Sequence, residues 1–415
     1  MKKMKKNFSK KGSVSIFIVA ITCALVAIMA ASFMRLMVRD QQQATQQDLS
    51  QSAYDSAQVG VEDAKRFLEN FNTRCAGGND TTNGECRRMA DAMAKRECDT
   101  LASGGIGTAG AETKVQSSAG SSASRVDLNQ AYTCVKITRD TADFLGSATE
   151  GTSRMIALRG TGAFNQVRIS WHNKEDLTNK DNTNINLENE SSPRPKTAVP
   201  SNKEWKNAIN RPAILKTQVY GYRFNSDNDR LLERLNNNFS AGNSGVGGIN
   251  GGTGLDEMLL YPASGIATSN TSRLPSTRRE GDTTRTDRYT LTRCESNLDR
   301  GQEFACSMLI DLRHEQRPED FAFLRLTPIY NKASFKIELL NNGKVVNFNG
   351  VQPSVDSTGR ANDQFRRVQS RIEFSDPNFP VPDFSVQTED QAKPVCKNFW
   401  VTNLRQSDKN SFDCK

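Results

Sequence analysis

The stretch Val14–Met34, VSIFIVAITCALVAIMAASFM, contains no charged residue and is apolar almost throughout. A run of about 20 such residues crosses the hydrocarbon core of a bilayer as a helix. Nothing else in the chain approaches it, and the protein as a whole is polar, with a mean hydropathy of -0.62. Lys2, Lys3, Lys5, Lys6, Lys10 and Lys11 precede the run, while only Arg35 and Arg39 follow closely. The positive-inside bias then keeps the N-terminus in the cytoplasm and sends the remainder out. A removed secretory signal is the competing reading. Its apolar region is usually about 7–15 residues and ends at a small-residue cleavage site, for which Ala30-Ala31-Ser32 is the best match. The greater length of the run, and the helical pattern beyond it, favour a retained helix.

That helix is expected to continue well past the membrane. From Arg35 to Asn70 the sequence has no proline and no glycine except Gly60. Ala53, Ala57, Val61, Ala64 and Leu68 recur at three- and four-residue spacing, which places them on one helical face. Gln, Asp and Lys occupy the other side, as an exposed face requires. A continuous helix over Val14–Asn70 would be roughly 85 Å long, with somewhat under half of it in lipid.

The chain has 415 residues, room for two folded units. Its net charge of +8 is carried largely by the leader lysines, so the basic balance reports topology. No Lys/Arg cluster with interleaved aromatics occurs in the body, and no nucleic-acid partner is expected. Of nine cysteines, Cys23 lies within the apolar run. The others are Cys75, Cys86, Cys98, Cys134, Cys294, Cys306, Cys396 and Cys414, an even set in a segment assigned outside the cytoplasm, which implies disulfides. Local spacing selects Cys294–Cys306 and Cys396–Cys414 first, then Cys75–Cys86 and Cys98–Cys134, although sequence alone leaves the connectivity open. With no CxxC and only two histidines, His172 and His314, a zinc site is disfavoured, and no metal or other cofactor is expected.

After residue 72 the grammar changes. Residues 73–124 hold Cys75, Cys86 and Cys98 and end in LASGGIGTAGAETKVQSSAGSSAS (101–124), which reads as a Gly/Ala/Ser-rich linker. From 125 to 415 the body reads as mainly antiparallel β, as one domain or two. Val167, Ile169 and Trp171 alternate with polar residues over Gln166–Trp171. Phe335, Ile337 and Leu339 alternate with Lys336 and Glu338, and Asn342-Gly343 then supplies a turn into Val345-Val346, which predicts a hairpin. Leu215–Tyr222, Cys306–Leu312, Phe321–Leu326 and Val368–Phe374 are further predicted strands. Ser201–Asn210 and Asp229–Asn237 are predicted short helices. Asn173–Asn202, Asn236–Gly254 and residues 268–288 read as long exposed loops. The expected fold is therefore α+β: a long N-terminal helix, half transmembrane and half extracellular, followed by a β body stapled by disulfides.

No catalytic constellation emerges. The histidines are too few for a Ser/His or Cys/His hydrolase and no nucleophile–base pattern is recognisable, so no enzymatic activity is expected. Gly245, Gly247, Gly248, Gly251 and Gly252 lack the GK[ST] or GxGxxG context of a phosphate loop and read as a mobile loop. Asp181, Asn184, Asn186, Glu188 and Glu190 are calcium-compatible in type, but their spacing is not that of an EF-hand; a solvated loop is the favoured reading.

The N-terminus carries the specific information. Lys10-Lys11-Gly12 stands directly before Ser13 and the apolar run, an arrangement that resembles the type IV prepilin signal. The resemblance implies cleavage between Gly12 and Ser13 by a prepilin peptidase on the cytoplasmic face, leaving the helix on the mature protein. A glycine there permits close backbone approach. Ser52-Ala53-x-x-Ser56-Ala57-x-x-Gly60-Val61-Glu62-Asp63-Ala64 is similar to the small-residue stretch late in the first helix of PilX-like minor pilins and pilus-assembly proteins. The Cys396–Cys414 pair would match the C-terminal disulfide loop of many pilins. The chain departs from major pilins at Phe17, where they carry a glutamate, and no acidic residue precedes Asp40. The resemblance covers about residues 1–70.

Together with the composition of the remainder, it divides the chain into a basic leader (1–12), a pilin-like helix (13–72) with its transmembrane segment at 14–34, the Cys-containing segment and linker (73–124), and the β body (125–415). It implies a minor pilin-like structural or assembly subunit. Its partners would be other pilin subunits, the pilus-assembly machinery, the prepilin peptidase, membrane lipid and a host or surface ligand. Ala53, Ala57, Gly60, Val61 and Ala64 would be the helix-packing residues. The alternative is a permanently anchored single-pass surface-binding protein that never polymerises.

Overall fold

The computed structural model describes residues 13–75, 84–115, 129–189, 201–222, 254–266, 268–273, 290–318 and 320–374. Its dominant element is α1, Ser13–Cys75, an uninterrupted helix of 63 residues, roughly 95 Å long. It runs past the expected end at Asn70 and stops where Cys75 is bonded to Cys86 of α2 (Gly84–Lys95). The amphipathic α2 buries Cys86, Met89 and Met93.

The later part of α1 lies on a four-stranded antiparallel sheet ordered β1 (Thr113–Lys114), β2 (Gln130–Thr138), β15 (Ser354–Ala361), β16 (Gln364–Arg371). Val61, Ala64, Phe67, Leu68 and Phe71 of the helix share one core with Met89, Met93, Leu101, Tyr132, Val135, Ile137 and Val355. Cys98–Cys134 ties the segment after α2 to β2. The linker expected over 101–124 is therefore folded in its first part. Thr100–Gly104 forms a 3-10 turn and Thr113–Lys114 pairs with β2. The reason is steric: Leu101 is buried, and Gly104 lies so close to the Phe67 ring that a Cβ would stand 2.6 Å from it. Residues 116–124 lie outside the described set.

Between β2 and β15 the chain builds a second unit. One sheet runs β14 (Lys344–Val346), β13 (Ala333–Asn341), β5 (Phe164–Trp171), β11 (Cys306–Gln316), β9 (Thr271–Arg273), with β3 (Phe144–Ala148) also on β13. The other runs β10 (Thr290–Arg293), β8 (Gly254–Ser264), β7 (Ile214–Tyr222), β12 (Phe321–Ile329), β4 (Arg154–Ala157), with β6 (Glu188–Asn189) on β8. Pairing is antiparallel except for β10–β8, β6–β8 and β11–β9. The two sheets face each other across a single core. Val167, Ile169 and Trp171 meet Leu215, Val219, Leu324 and Leu326 there, the alternate-residue burial of a sandwich. Cys294–Cys306 closes one end of it.

The predicted hairpin is present, with Asn342 and Gly343 both at positive φ between β13 and β14. The expected loops are partly corrected. Over 173–189, Leu177 and Ile185 are buried and Glu188–Asn189 is a strand, because apolar side chains punctuate the polar run. Gly254, placed at the end of a loop, begins β8, and Thr271–Arg273, within another, forms β9. A short helix, α3 (Asn202–Lys206), occupies the start of the predicted Ser201–Asn210 helix, capped by Ser201 and Glu204. The predicted Asp229–Asn237 helix, the Gly245–Gly252 loop and the Cys396–Cys414 pair lie outside the described residues.

Candidate assembly site

The features that set this chain apart are all on α1, which changes character along its length. Its first part contains a window of mean hydropathy 2.5, none of it buried. By length and composition it is able to cross a membrane. The polar groups within it are internally satisfied: Thr22 Oγ1 donates to Ile18 O at 3.0 Å and Ser32 Oγ to Ile28 O at 2.8 Å, as polar side chains in hydrocarbon require. Cys23 is exposed and unpaired there. From Arg39 to Asp48 the helix is polar and exposed on all sides.

The seat begins at Ala53. Ala53, Ala57 and Ala64 are fully buried, and Ser56, Gly60 and Val61 are buried beside them. The expected packing residues thus lie together against the sheet. The partner surface on β15 is equally small: Val355, Ser357, Gly359 and Ala361 point to one side. A Cβ on Gly359 would collide with the backbone of Ala53 and Ala57, and one on Gly60 with Ser357 Oγ. Helix and strand therefore touch main chain to main chain. A polar lock flanks this seam: Tyr132 Oη donates to Asp63 Oδ2 at 2.9 Å. Burial, together with this carboxylate, pushes the Tyr132 phenol up to about 12. Arg366 Nε donates to Ser50 Oγ at 2.7 Å nearer the free part of the helix. Ser357 Oγ is buried without a hydrogen-bond partner.

Of the other processing and site residues, Ser13 is the first residue of α1, and Gly12 lies outside the described residues. The calcium-compatible residues are not brought together around a common point. Glu188 accepts from Tyr261 Oη at 2.7 Å and pairs with Arg211, while Asn184 Oδ1 accepts from Asn297. Glu190 lies outside the described residues. The loop is organised by Asn210, which sequence reasoning did not single out. Its Nδ2 reaches the carbonyls of Asn179, Asn182 and Asn184, and its Oδ1 accepts from Asn179 N and Thr178 Oγ1. Among the described residues no group of three or more His, Cys, Asp or Glu side chains is placed to hold a metal ion.

His172 directly follows β5, in left-handed backbone (φ 67°), and is buried. Burial pulls it down to about 4; Asp176 opposes the shift and Lys332 adds to it. Comparison with protein-family models, with curated proteins and with solved structures finds no match for this chain.

Proposed function

We propose that the chain is a minor pilin-like structural or assembly subunit of a type IV pilus or related filament, held in the membrane by α1 until it joins the fibre. One observation carries this reading. A single 63-residue helix is bare and apolar in front and locked by small residues onto its own sheet behind. A helix built only to anchor needs no such continuity, whereas a subunit passing from lipid into a fibre must move anchor and body as one rigid piece. In the fibre, neighbouring helices would replace lipid around the front segment. Ala20, Ala24, Ala27 and Ala31 permit the close approach on which such packing depends. On this reading the leader lysines favour a cytoplasmic N-terminus and the β body lies outside, where its loops are free to meet a surface ligand.

The second reading, a permanently anchored surface-binding protein, is favoured by Phe17. In the major pilins that the N-terminus resembles, the glutamate at this place pairs with a neighbouring subunit's terminal amine; an uncleaved chain frees no such amine, so the missing acidic residue costs it nothing. N-terminal sequencing of the protein purified from membranes separates the two. A start at Ser13 supports the pilus reading; an intact lysine leader contradicts it.

A further inference from the structure

Thr138 at the end of β2 and Ser354 at the start of β15 are cross-strand partners, yet the whole sandwich lies between them in sequence. Without it, β2 and β15 would form an ordinary antiparallel hairpin, since directly opposed residues are only about 5 Å apart. The two hydrophobic cores have no residue in common. Cys75–Cys86 and Cys98–Cys134 stay within the helix-bearing unit and Cys294–Cys306 within the sandwich, so no described bridge crosses between them.

What joins the units is mainly polar. Arg154 pairs with Glu373 at 2.6 Å, and Gln352 Nε2 donates to Glu373 Oε1 at 2.9 Å. Arg371 pairs with Asp143 at 2.6 Å. Such contacts orient two bodies without merging their cores.

We infer that residues 139–353 are an inserted module that opens and closes independently of the helix-bearing unit, which is structurally complete without it. Resting on the pilus reading, this assigns membrane retention and assembly to the smaller unit and outward recognition to the inserted sandwich.

Hydrogen exchange on the full-length protein in detergent tests the inference. Ile337→Ala removes buried apolar volume from the sandwich, and Ile337→Val does so more mildly if the first variant fails to fold. The slowest amides of β5, β7 and β13 should then exchange at least about tenfold faster, while those of residues 61–75, β2 and β15 keep their rates. Val135→Ala should give the reverse pattern, and the Ile337 variants should still fractionate with membranes. Acceleration of both groups together in either variant, or loss of the Ile337 variants from membranes, overturns the inference. Cleavage at Gly12 has no bearing on these rates, so failure here is distinguishable from failure of the pilus reading.

Discussion

Gly359 of β15 meets Ala57 of α1 main chain to main chain, with no space for a β-carbon between them. The seam is therefore closed by the absence of side chains, and any added carbon must push helix and sheet apart. Gly359→Val should destabilise the helix-bearing unit by about 3 kcal/mol or more. Denaturant unfolding followed through the α1 signal measures it. A change within about 0.5 kcal/mol would mean that the helix does not sit where we place it.

Ser357 offers the opposite test on the same strand. Its hydroxyl is buried and unpartnered, and a buried donor without an acceptor costs about 1–3 kcal/mol. Ser357→Ala should leave stability unchanged or raise it by up to about 1 kcal/mol, read as a rise in the denaturation midpoint. A clear loss of stability would show that the hydroxyl has a partner.

His172 makes the sandwich acid-sensitive. Its folded value of about 4 lies below the usual 6.5, so protons bind the unfolded chain preferentially. The contribution of neutral His172 is complete above about pH 6.5 and is lost as pH falls toward 4. The difference in stability between wild type and His172→Gln should therefore change over that window, by about 3 kcal/mol. An unchanged difference from pH 7 to 4 would show that the ring is solvated.

The cysteines give a count. Intact-mass measurement before and after reduction and alkylation should show three bridges from the described pairs and a fourth if Cys396 bonds Cys414. Among the described cysteines only Cys23 should be alkylated without reductant. Free thiols at all the other cysteines would contradict the placement of the body outside the cytoplasm.

How far the sequence discloses this molecule depends on the range of the interactions. The apolar run, the Ala53–Leu68 face and the Asn342-Gly343 turn are local signals, and each corresponds to an observed element. The three described disulfides pair neighbours in the order of the chain, the arrangement that local spacing favours without requiring. Strand β15 was hidden for a physical reason. Its buried face is Val355, Ser357, Gly359 and Ala361, chosen to be small under a helix backbone, so it lacks the hydrophobic alternation that marks a strand. Its pairing with β2 spans the whole sandwich and leaves no local trace. The segment after residue 100 looked like a linker because Gly104, fitted against the Phe67 ring, stands among small residues with the composition of flexible chain. Asn210 was invisible because its role lies in carbonyls that only the folded loop brings together.

Prepilin-like processing makes a specific demand on Gly12. Gly12→Leu should block cleavage and leave the leader on the protein, visible as a heavier band in membranes. Normal processing of that variant would remove the reason for assigning the site.

The central claim is that α1 leaves the membrane with its body. Mass spectrometry of the N-terminal peptide in material sheared from the cell surface tests it most directly. The account predicts that the chain is present in the sheared fraction and begins at Ser13. A chain confined to the membrane pellet, with Lys2 through Lys11 still attached, would contradict it.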